Sequence, residues 1–544
     1  MKTENQETNN LDDQGIKTQK TETKNHGTIM LNEKLIIFGK ALFVKMIFCC
    51  IVFSPFLTER LVNSHDATWY GADYMGGPWE LSIGRFMIGL FDKVNFARHI
   101  QPFNLLLTLF ICVAATELIA FAFGHSGDNL INYCFSFMFL SNTVITTWLS
   151  YSYTSTVYAW GLFFAAVSCA VISRYYTEEN LKKRIAYLVC SSGFFALTMG
   201  TYQSFLCCIL VIMLFFIIYL VCSGEIIKNL FETVQGFILT GILGSIFYEV
   251  ILHLMLKIRG ITIASYNGAD SITLNSILSN LPDGIKTCIK DVPLYFSGAL
   301  FHISMFRYRS AFVVIWVFVI VSIIYLIRNL DNKVIRIILA FGCLCCIPIA
   351  ALVTKLLAPQ SGLELQQTGS YALLVPLVFI TLLPQLKKKI SGNRKKFIAE
   401  LGMVLISFVI VWGRTYANLG DQEAMREMIY TRKSICTEIY SAVINQGYAK
   451  EGYQLAIVGD PTKSPLFVHE PIYDDANELA AIGWWSVIRA WRGVYRYELG
   501  LNLPFVEQDV YEEILGNEQV QQMPSFPNVG SIIEVGDIVV VKVS

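Results

Sequence analysis

The segment Ser204-Phe-Leu-Cys-Cys-Ile-Leu-Val-Ile-Met-Leu-Phe-Phe-Ile-Ile-Tyr-Leu-Val-Cys222 contains no charged residue. A helix of about 20 apolar residues is long enough to cross the hydrocarbon core of a bilayer. The rest of the chain shares this character, since 54% of its 544 residues are hydrophobic, only 15% are charged and the mean hydropathy is +0.50. A soluble globule of this size could not cover so much apolar surface with so few charges. The composition therefore predicts a membrane protein.

The charge balance excludes a nucleic acid as the expected partner. The chain has 42 basic and 42 acidic residues, so its formal net charge is zero and there is no basic excess to neutralise a phosphate backbone. Most of the 14 cysteines lie inside apolar runs, where cysteine behaves as a small hydrophobic residue.

Further apolar runs on both sides of the opening segment predict an α-helical polytopic membrane protein with about eleven transmembrane helices. The predicted spans are 41–57, 102–123, 130–149, 156–173, 185–201, 204–222, 233–256, 311–327, 335–356, 371–384 and 397–413. The first span begins too late for a cleaved signal peptide, so we interpret it as a signal anchor.

Lysine and arginine are concentrated in three short loops that all fall on the side of the N-terminal tail. The strongest of these loops, 387–396, carries six basic residues. Cytoplasmic loops carry an excess of such residues. We therefore expect a cytoplasmic N-terminus, with loops 58–101 and 257–310 and the C-terminal region on the outer face.

These observations predict three regions. Residues 1–33 are polar and aperiodic, which indicates a disordered cytoplasmic tail. Residues 34–413 form the multi-span membrane domain, and its first outer loop is 58–101. Residues 414–544 are richer in charge and predict a small extracytoplasmic α/β domain, with strands at 453–458, 531–534 and 537–543.

The first outer loop combines an amphipathic pattern with charged side chains. From Trp79 to Val94 the apolar residues follow a helical stripe, and Gly76-Gly77-Pro78 breaks the chain directly before it. The charged residues of this stretch lie largely off the stripe: Glu80, Arg85, Asp92 and Lys93. A helix of this kind lies flat in the membrane interface.

Such a helix would hold Asp66, Asp73, Glu80 and Arg85 at the boundary between lipid and water. A lipid-linked substrate has its head group at this boundary. A carboxylate that is partly desolvated there can take a proton from an attacking hydroxyl. A solvated loop face is the alternative interpretation of these charges.

Two motifs stand out in this chain. The first is His65-Asp66 just after the first span, followed by Trp79-Glu80-(x)3-Gly84-Arg85-Phe86. The second is Met199-Gly-Thr-Tyr-Gln-Ser204 between two close spans. Together they resemble the glucosyltransferase II (Gtr) family of bacterial membrane glycosyltransferases of the GT-C type, and the second is similar to the family's Tyr-Gln turn. The resemblance covers about 41–413 in layout. The family usually has two adjacent acids, and His65-Asp66 departs from that pattern.

The resemblance implies transfer of glucose, or a related hexose, from a polyprenyl-phosphate sugar to a cell-surface polysaccharide on the outer face of a bacterial cytoplasmic membrane. It implies Asp66 as the general base of an inverting displacement, with His65 as its neighbour. Asp73 or Glu80 would orient sugar hydroxyls, and Arg85 would bind phosphate. No obligatory metal or other cofactor is predicted. A polyprenyl-phosphate sugar synthase and a flippase are implied as partners that supply the donor.

Several further residues have both a functional and a structural interpretation. Arg307 and Arg309 could bind the donor phosphate, or they could anchor the chain at the interface. Tyr202 and Gln203 could hydrogen-bond a sugar or cap helix ends.

Glu117 lies inside a predicted span, where its charge requires a partner. Lys40 and Lys45 are expected to extend to the inner membrane surface, and the aromatic cluster at 484–497 is either a sugar-binding or a packing surface.

Two other classes of function remain compatible with the sequence. A polysaccharide polymerase or ligase would also use a lipid-linked sugar and a large outer loop. A transporter or flippase for lipid-linked sugars would need no catalytic acid, but such folds are typically built from two matching halves. We find no internal repeat in this chain.

Overall fold

The computed structural model describes residues 36–63, 75–94, 98–266, 274–298, 300–301, 309–357, 363–477 and 488–544. The described chain is mostly helical. Its first part contains α1 (36–52), α2 (Ser54–Thr58), α3 (Pro78–Ser82), α4 (Ile88–Val94), α5 (Phe103–Ala122), α6 (Leu130–Leu140), α7 (Thr143–Ser150), α8 (Ser155–Ile172), α9 (Leu181–Thr201), α10 (Phe205–Ser223) and α11 (Ile227–Arg259). The following helices are α12 (Leu274–Phe296), α13 (Arg309–Ile327), α14 (Lys333–Ala350), α15 (Thr354–Leu357), α16 (Gly369–Lys389) and α17 (Asn393–Asn445).

Every predicted apolar run contains helix in the structure, but the helices differ in length and hydropathy. Among the described residues, seven helices are long and apolar enough to cross a membrane, or eight if the bent pair α6 and α7 is one span. The chain is therefore a membrane protein with several apolar helices that could cross the bilayer, and the total of eleven spans stays a prediction. The segment predicted as the long outer loop 257–310 contains the 23-residue helix α12.

The helices pack around one large hydrophobic cluster. α8 lies against α5 and α9, and α10 lies against α14 and α16. α10 is the most apolar of these helices. Of its most apolar 18-residue stretch, 78% is buried, because neighbouring helices cover it on several sides. The sequence of α10 is hydrophobic all round, as expected for a helix inside a bundle.

The predicted span 130–149 is not one straight helix. α6 and α7 meet at an angle of 53°, and Asn142 caps α7 by accepting a hydrogen bond from the Val144 N–H at 3.0 Å. The carbonyl groups left at the break are bound by α17, since Arg414 donates to the Met138 carbonyl and Asn418 donates to the Ser141 carbonyl. Side chains of a neighbouring helix thus satisfy the backbone groups that the break releases.

Lys45 does not extend to the membrane surface, contrary to the prediction from its position. Its Nζ lies 2.5 Å from Glu117 Oε1 and 2.8 Å from Asn132 Oδ1, and neither side chain of the Lys45–Glu117 pair is exposed. The other Glu117 oxygen accepts the Gly127 N–H at 3.1 Å. The partner that Glu117 requires is therefore Lys45, and the pair joins α1 to α5 inside the bundle.

The C-terminal part forms a small α/β unit with a hydrophobic cluster of its own. Its strands are β1 (Gln454–Val458), β2 (Ile532–Val535) and β3 (Ile538–Lys542), in the order β1-β3-β2. β1 runs parallel to β3, with Gln454 opposite Ile538, and β2 runs antiparallel to β3. All three strands lie within about two residues of their predicted positions. Short helices at Ile488–Gly493, Gln508–Leu515 and Glu518–Gln522 complete the unit. A further short helix, Ile472–Asp475, packs its Ile472 and Tyr473 side chains against the large cluster instead.

Candidate functional site

The first loop folds as two short helices instead of one continuous amphipathic helix. α3 ends at Ser82 and α4 begins at Ile88, and Gly84 between them has φ +83°. Backbone in this left-handed region favours glycine and ends a regular helix. The apolar stripe predicted from Trp79 to Val94 is therefore split. The buried side chains of the two short helices and the bend, Leu81, Phe86, Met87, Ile88 and Phe91, pack against α8, α9 and α11. Leu81 and Ile88 are not part of the predicted stripe, whereas its members Trp79, Leu90 and Val94 are exposed.

The bend at Gly84 is held by one side chain from the turn between α9 and α10 and by one from α11. Gln203 Nε2 donates to the Ile83 carbonyl at 2.8 Å, and the Tyr248 hydroxyl donates to the Gly84 carbonyl at 3.3 Å. The Met87 N–H also donates to the Gly200 carbonyl at 2.9 Å. The Gly-Arg-Phe motif and the Tyr-Gln turn, predicted separately from the sequence, are therefore in direct contact.

Arg85 and Tyr202 form a second contact between these two motifs. The guanidinium carbon of Arg85 lies 4.4 Å from the centre of the Tyr202 ring, which is the geometry of a cation–π interaction. Tyr202 is buried at the C-terminal end of α9, and its N–H donates to the Thr198 carbonyl at 3.1 Å. Arg85 is half-buried, and its Nε has no hydrogen-bond partner among the described residues. An arginine with an unused donor beside an aromatic ring can bind an anionic group.

Two carboxylates organise the backbone at Gly76 and Gly77. Glu80, the third residue of α3, accepts the Gly77 N–H at 2.7 Å through its Oε2. Asp92 Oδ2 accepts the Gly76 N–H at 2.6 Å. The Asp92 side chain is fully buried, and its Oδ1 has no hydrogen-bond partner in the described part of the chain. Burial raises the pKa of Asp92 to about 7, although the hydrogen bond from Gly76 acts in the opposite direction.

A cavity of about 530 Å³ lies between this loop and the membrane helices. Most of its wall is apolar and comes from α4, α9 and α11, including Leu90, Leu197, Ile251 and Met255. Four charged residues line the same cavity: Glu80, Arg85, Lys93 and Arg259. A mostly apolar concave site with a few charged groups is the usual form of a ligand site, and this size is typical.

The structure brings together only some of the residues predicted for the site. Glu80, Arg85, Tyr202 and Gln203 lie in or beside this region. The predicted base and its neighbours fall outside the described residues, as does one predicted arginine: His65, Asp66, Asp73 and Arg307. Arg309 is the first residue of α13, but its side chain is not described.

The chain that leads to the predicted base is well anchored. Asn63 is buried, its N–H donates to the Ser150 carbonyl at 3.2 Å, and its side chain donates to the Ser150 hydroxyl at 3.0 Å. Asp66 is three residues further along the sequence. On the far side of that segment, Met75 lines the cavity.

Sequence reasoning missed four contributors to this region. The helical stripe assigns Asp92 to the exposed side, yet Asp92 is buried because the Gly76 N–H supplies a partner. Tyr248, Lys93 and Arg259 have no role in the predicted site. One feature of the sequence indicates that Asp92 could be buried: it directly follows Phe91, which belongs to the predicted apolar stripe. Within the described parts of the chain, no group of three or more His, Cys, Asp or Glu side chains could hold a metal ion.

The fold and this loop define a helical membrane protein whose first loop packs against the turn between α9 and α10. A profile described as Glucosyl transferase GtrII matches residues 62–384, which is more than half of the chain. The chain belongs to this glucosyltransferase family, as the two motifs predicted. Searches of curated proteins and of solved structures gave no match.

Proposed function

We propose that this protein transfers glucose, or a related hexose, from a polyprenyl-phosphate sugar to a surface polysaccharide or glycopolymer. The family match supports a glucosyltransferase, and the apolar helices support a reaction at a membrane. The chain has no glycine-rich nucleotide-binding loop in its sequence, which favours a lipid-linked donor over a nucleotide sugar.

The proposal rests on the contact between the Trp79–Phe86 motif and the Tyr202-Gln203 turn. Gln203 donates to the Ile83 carbonyl although 120 residues separate them, and Arg85 lies over Tyr202. The contact places an arginine and an aromatic ring beside a cavity whose wall is mostly apolar. Such surroundings suit a sugar phosphate at the end of a lipid chain, because the apolar wall can hold the chain and the arginine beside the ring can bind phosphate.

The proposed reaction is a single displacement of the GT-C type. A hydroxyl oxygen of the acceptor attacks the anomeric carbon, and a new glycosidic bond forms on the face opposite the leaving group. The bond between the anomeric carbon and the phosphate oxygen breaks, and its electron pair leaves with the lipid phosphate. Asp66 accepts the hydroxyl proton as general base. The configuration of the sugar is inverted.

The other site residues have supporting roles in this scheme. His65 tunes Asp66. Asp73 or Glu80 orients hydroxyl groups, and Arg85 binds phosphate. Arg307 and Arg309 are further proposed phosphate ligands, and Tyr202 and Gln203 position the loop against the sugar. Gln203 already donates to the Ile83 carbonyl, so its role is to hold the motif in place.

We place the reaction on the outer face of a bacterial cytoplasmic membrane, with the N-terminus cytoplasmic and residues 414–544 outside as a separate domain. The basic short loops support this orientation. The donor is then made by a polyprenyl-phosphate sugar synthase in the cytoplasm and is moved across the membrane by a flippase.

The test is sugar transfer in membranes that receive radiolabelled polyprenyl-phosphate glucose, comparing wild type with Asp66→Asn at matched expression. The substitution keeps the size of the side chain and removes the base, so we expect transfer to fall at least about 100-fold. Asp331→Asn makes the same chemical change in a loop between α13 and α14 and is expected to leave transfer unchanged.

Normal transfer by Asp66→Asn would assign the base to another acid. A wild-type protein that transfers no glucose would contradict glucose as the sugar, and the same assay with other hexose donors would then decide whether the reaction class is correct.

A further inference from the structure

The cavity beside the first loop has an excess of positive charge from three separate elements. Arg85 lies between α3 and α4, Lys93 lies in the last turn of α4, and Arg259 is the last residue of α11. Glu80 is the one acidic residue in the described lining, and one of its oxygens already accepts the Gly77 N–H. The charged part of the wall therefore favours an anion.

These cations are not paired with carboxylates of the described chain. In the parts of the chain that the structure describes, neither Lys93 nor Arg259 forms an ion pair, and both side chains are exposed. Arg85 Nε is buried without a hydrogen-bond partner there. Cations that line a cavity without a protein partner are available to a ligand.

The apolar residues of the cavity wall determine which group the ligand carries besides its anion. Leu197 of α9 and Ile251 and Met255 of α11 line the cavity between membrane helices. A ligand that satisfies both parts of the wall has one anionic group and one long apolar chain. Since the proposed reaction uses a sugar whose activating phosphate is carried by a lipid, an isoprenoid monophosphate has the required chemistry.

We propose that Lys93 and Arg259 bind the phosphate of the isoprenoid lipid, and that its chain lies along α9 and α11. This inference rests on the proposed function, because the donor there is an isoprenoid phosphate. It adds two phosphate ligands that the sequence motifs do not contain. Arg85 then lies on the side of the phosphate nearest Tyr202, where the sugar is transferred.

The experiment measures binding of farnesyl phosphate, which lacks the sugar, to the purified full-length protein in detergent. The variants are Lys93→Gln, Arg259→Gln and the double variant, with Lys93→Arg and Arg259→Lys as charge-conserving forms. Lys257→Gln is the matched control, because Lys257 lies in the same last turn of α11 but does not line the cavity. Thermal unfolding is recorded for each variant so that only folded proteins are compared.

We expect the double variant to bind farnesyl phosphate at least about tenfold more weakly, since it loses two charge-assisted contacts. The charge-conserving forms and Lys257→Gln should bind within about threefold of wild type. Phosphatidylglycerol and inorganic phosphate serve as competitors, and each is expected to displace the probe far less well than unlabelled farnesyl phosphate.

Unchanged binding by the double variant would overturn the inference, as would equal competition by phosphatidylglycerol, which would indicate a general anionic-lipid site. Equal competition by inorganic phosphate would show that the apolar wall contributes nothing to binding.

The outcomes separate this inference from the proposed function. Weaker binding by the double variant together with no sugar transfer by wild type would support the lipid site alone. Normal transfer with an unchanged donor KM in the double variant would support the reaction and reject the site.

Discussion

The hydroxyl of Tyr248, in the middle of α11, donates to the carbonyl oxygen of Gly84 at the bend of the first loop. A Cβ atom at Gly84 would lie 2.2 Å from that hydroxyl and 2.8 Å from Gln203 Nε2. The left-handed backbone at this position adds its own penalty for any other residue. Gly84 is therefore required both by its backbone conformation and by the space around it.

Gly84→Ala should separate the loop from α11 and lower sugar transfer by at least about tenfold, because strain of this kind exceeds about 1.4 kcal/mol. Gly124→Ala is the matched control, since Gly124 has φ +76° but a Cβ atom there would meet nothing within 4 Å. Transfer assays on both variants separate the effect of the clash from that of the backbone. Equal losses in the two variants would contradict a specific role for the contact with Tyr248.

Tyr202→Leu should lower transfer by roughly 3- to 30-fold, because a cation–π contact with a partly buried arginine contributes about 0.5–2 kcal/mol. Tyr202→Phe keeps the ring and should stay close to wild type. Tyr325→Leu is the control, because it removes a similar ring, which lies 4.3 Å from the guanidinium carbon of Arg328, at a place away from the cavity. If Tyr202→Phe were as impaired as Tyr202→Leu, the hydroxyl and not the ring would be the important group.

Asp92 makes the first loop sensitive to pH. Its pKa is raised to about 7, above the usual value for an aspartate, so the folded loop favours the protonated form. The stability of the loop is therefore greatest below about pH 4 and decreases as the pH rises through 7. Asp92→Asn removes the titration and keeps an oxygen to accept the Gly76 N–H.

Hydrogen exchange of peptides from 75–94, compared between Asp92→Asn and wild type at the same pH, measures this effect. At pH 8 the variant should be the better protected of the two, and the difference should shrink by pH 5. Asp331→Asn, in the loop before α14, should follow wild type at every pH. A difference between Asp92→Asn and wild type that does not change with pH would show that the Asp92 carboxyl does not titrate in this range.

The pair of Lys45 and Glu117 should be important for the stability of the bundle. Glu117→Gln leaves the lysine charge buried without its partner, and the expected loss is about 3–5 kcal/mol. The double variant Lys45→Met with Glu117→Leu should recover most of that loss, since no uncompensated charge remains. Thermal unfolding in detergent gives the order of stability. Asp128→Asn, which breaks the exposed pair with Lys40, should have no measurable effect, and a similar loss there would argue against burial as the cause.

The helices were predictable because each apolar run is long, and its composition indicates a helix in a membrane or a protein interior. α10 is the clearest case, since every side chain in it suits a lipid or protein interior. The break between α6 and α7 was not predictable, because Ser141-Asn142 is a weak local signal. It persists because Arg414 and Asn418, far away in the sequence, bind the carbonyl groups there.

The candidate site was predictable in its residue types but not in its geometry. Gly84, Arg85 and the Tyr202-Gln203 turn belong to motifs of a family, yet no local pattern indicates that Gln203 binds the Ile83 carbonyl. The burial of Asp92 depends on a single N–H at Gly76, which only the folded loop brings near. Periodicity alone therefore assigns Asp92 to the wrong face.

α17 belongs to both large hydrophobic clusters of the molecule. Ala424 and Met425 pack in the cluster of the membrane helices, whereas Ile439 and Val443 pack in that of the C-terminal sheet. The helix is 53 residues long, which corresponds to about 80 Å without interruption. The two clusters are thus joined by continuous helix, with no loop between Ala424 and Val443. The length of one helix therefore sets the spacing between the membrane-helix cluster and the C-terminal sheet.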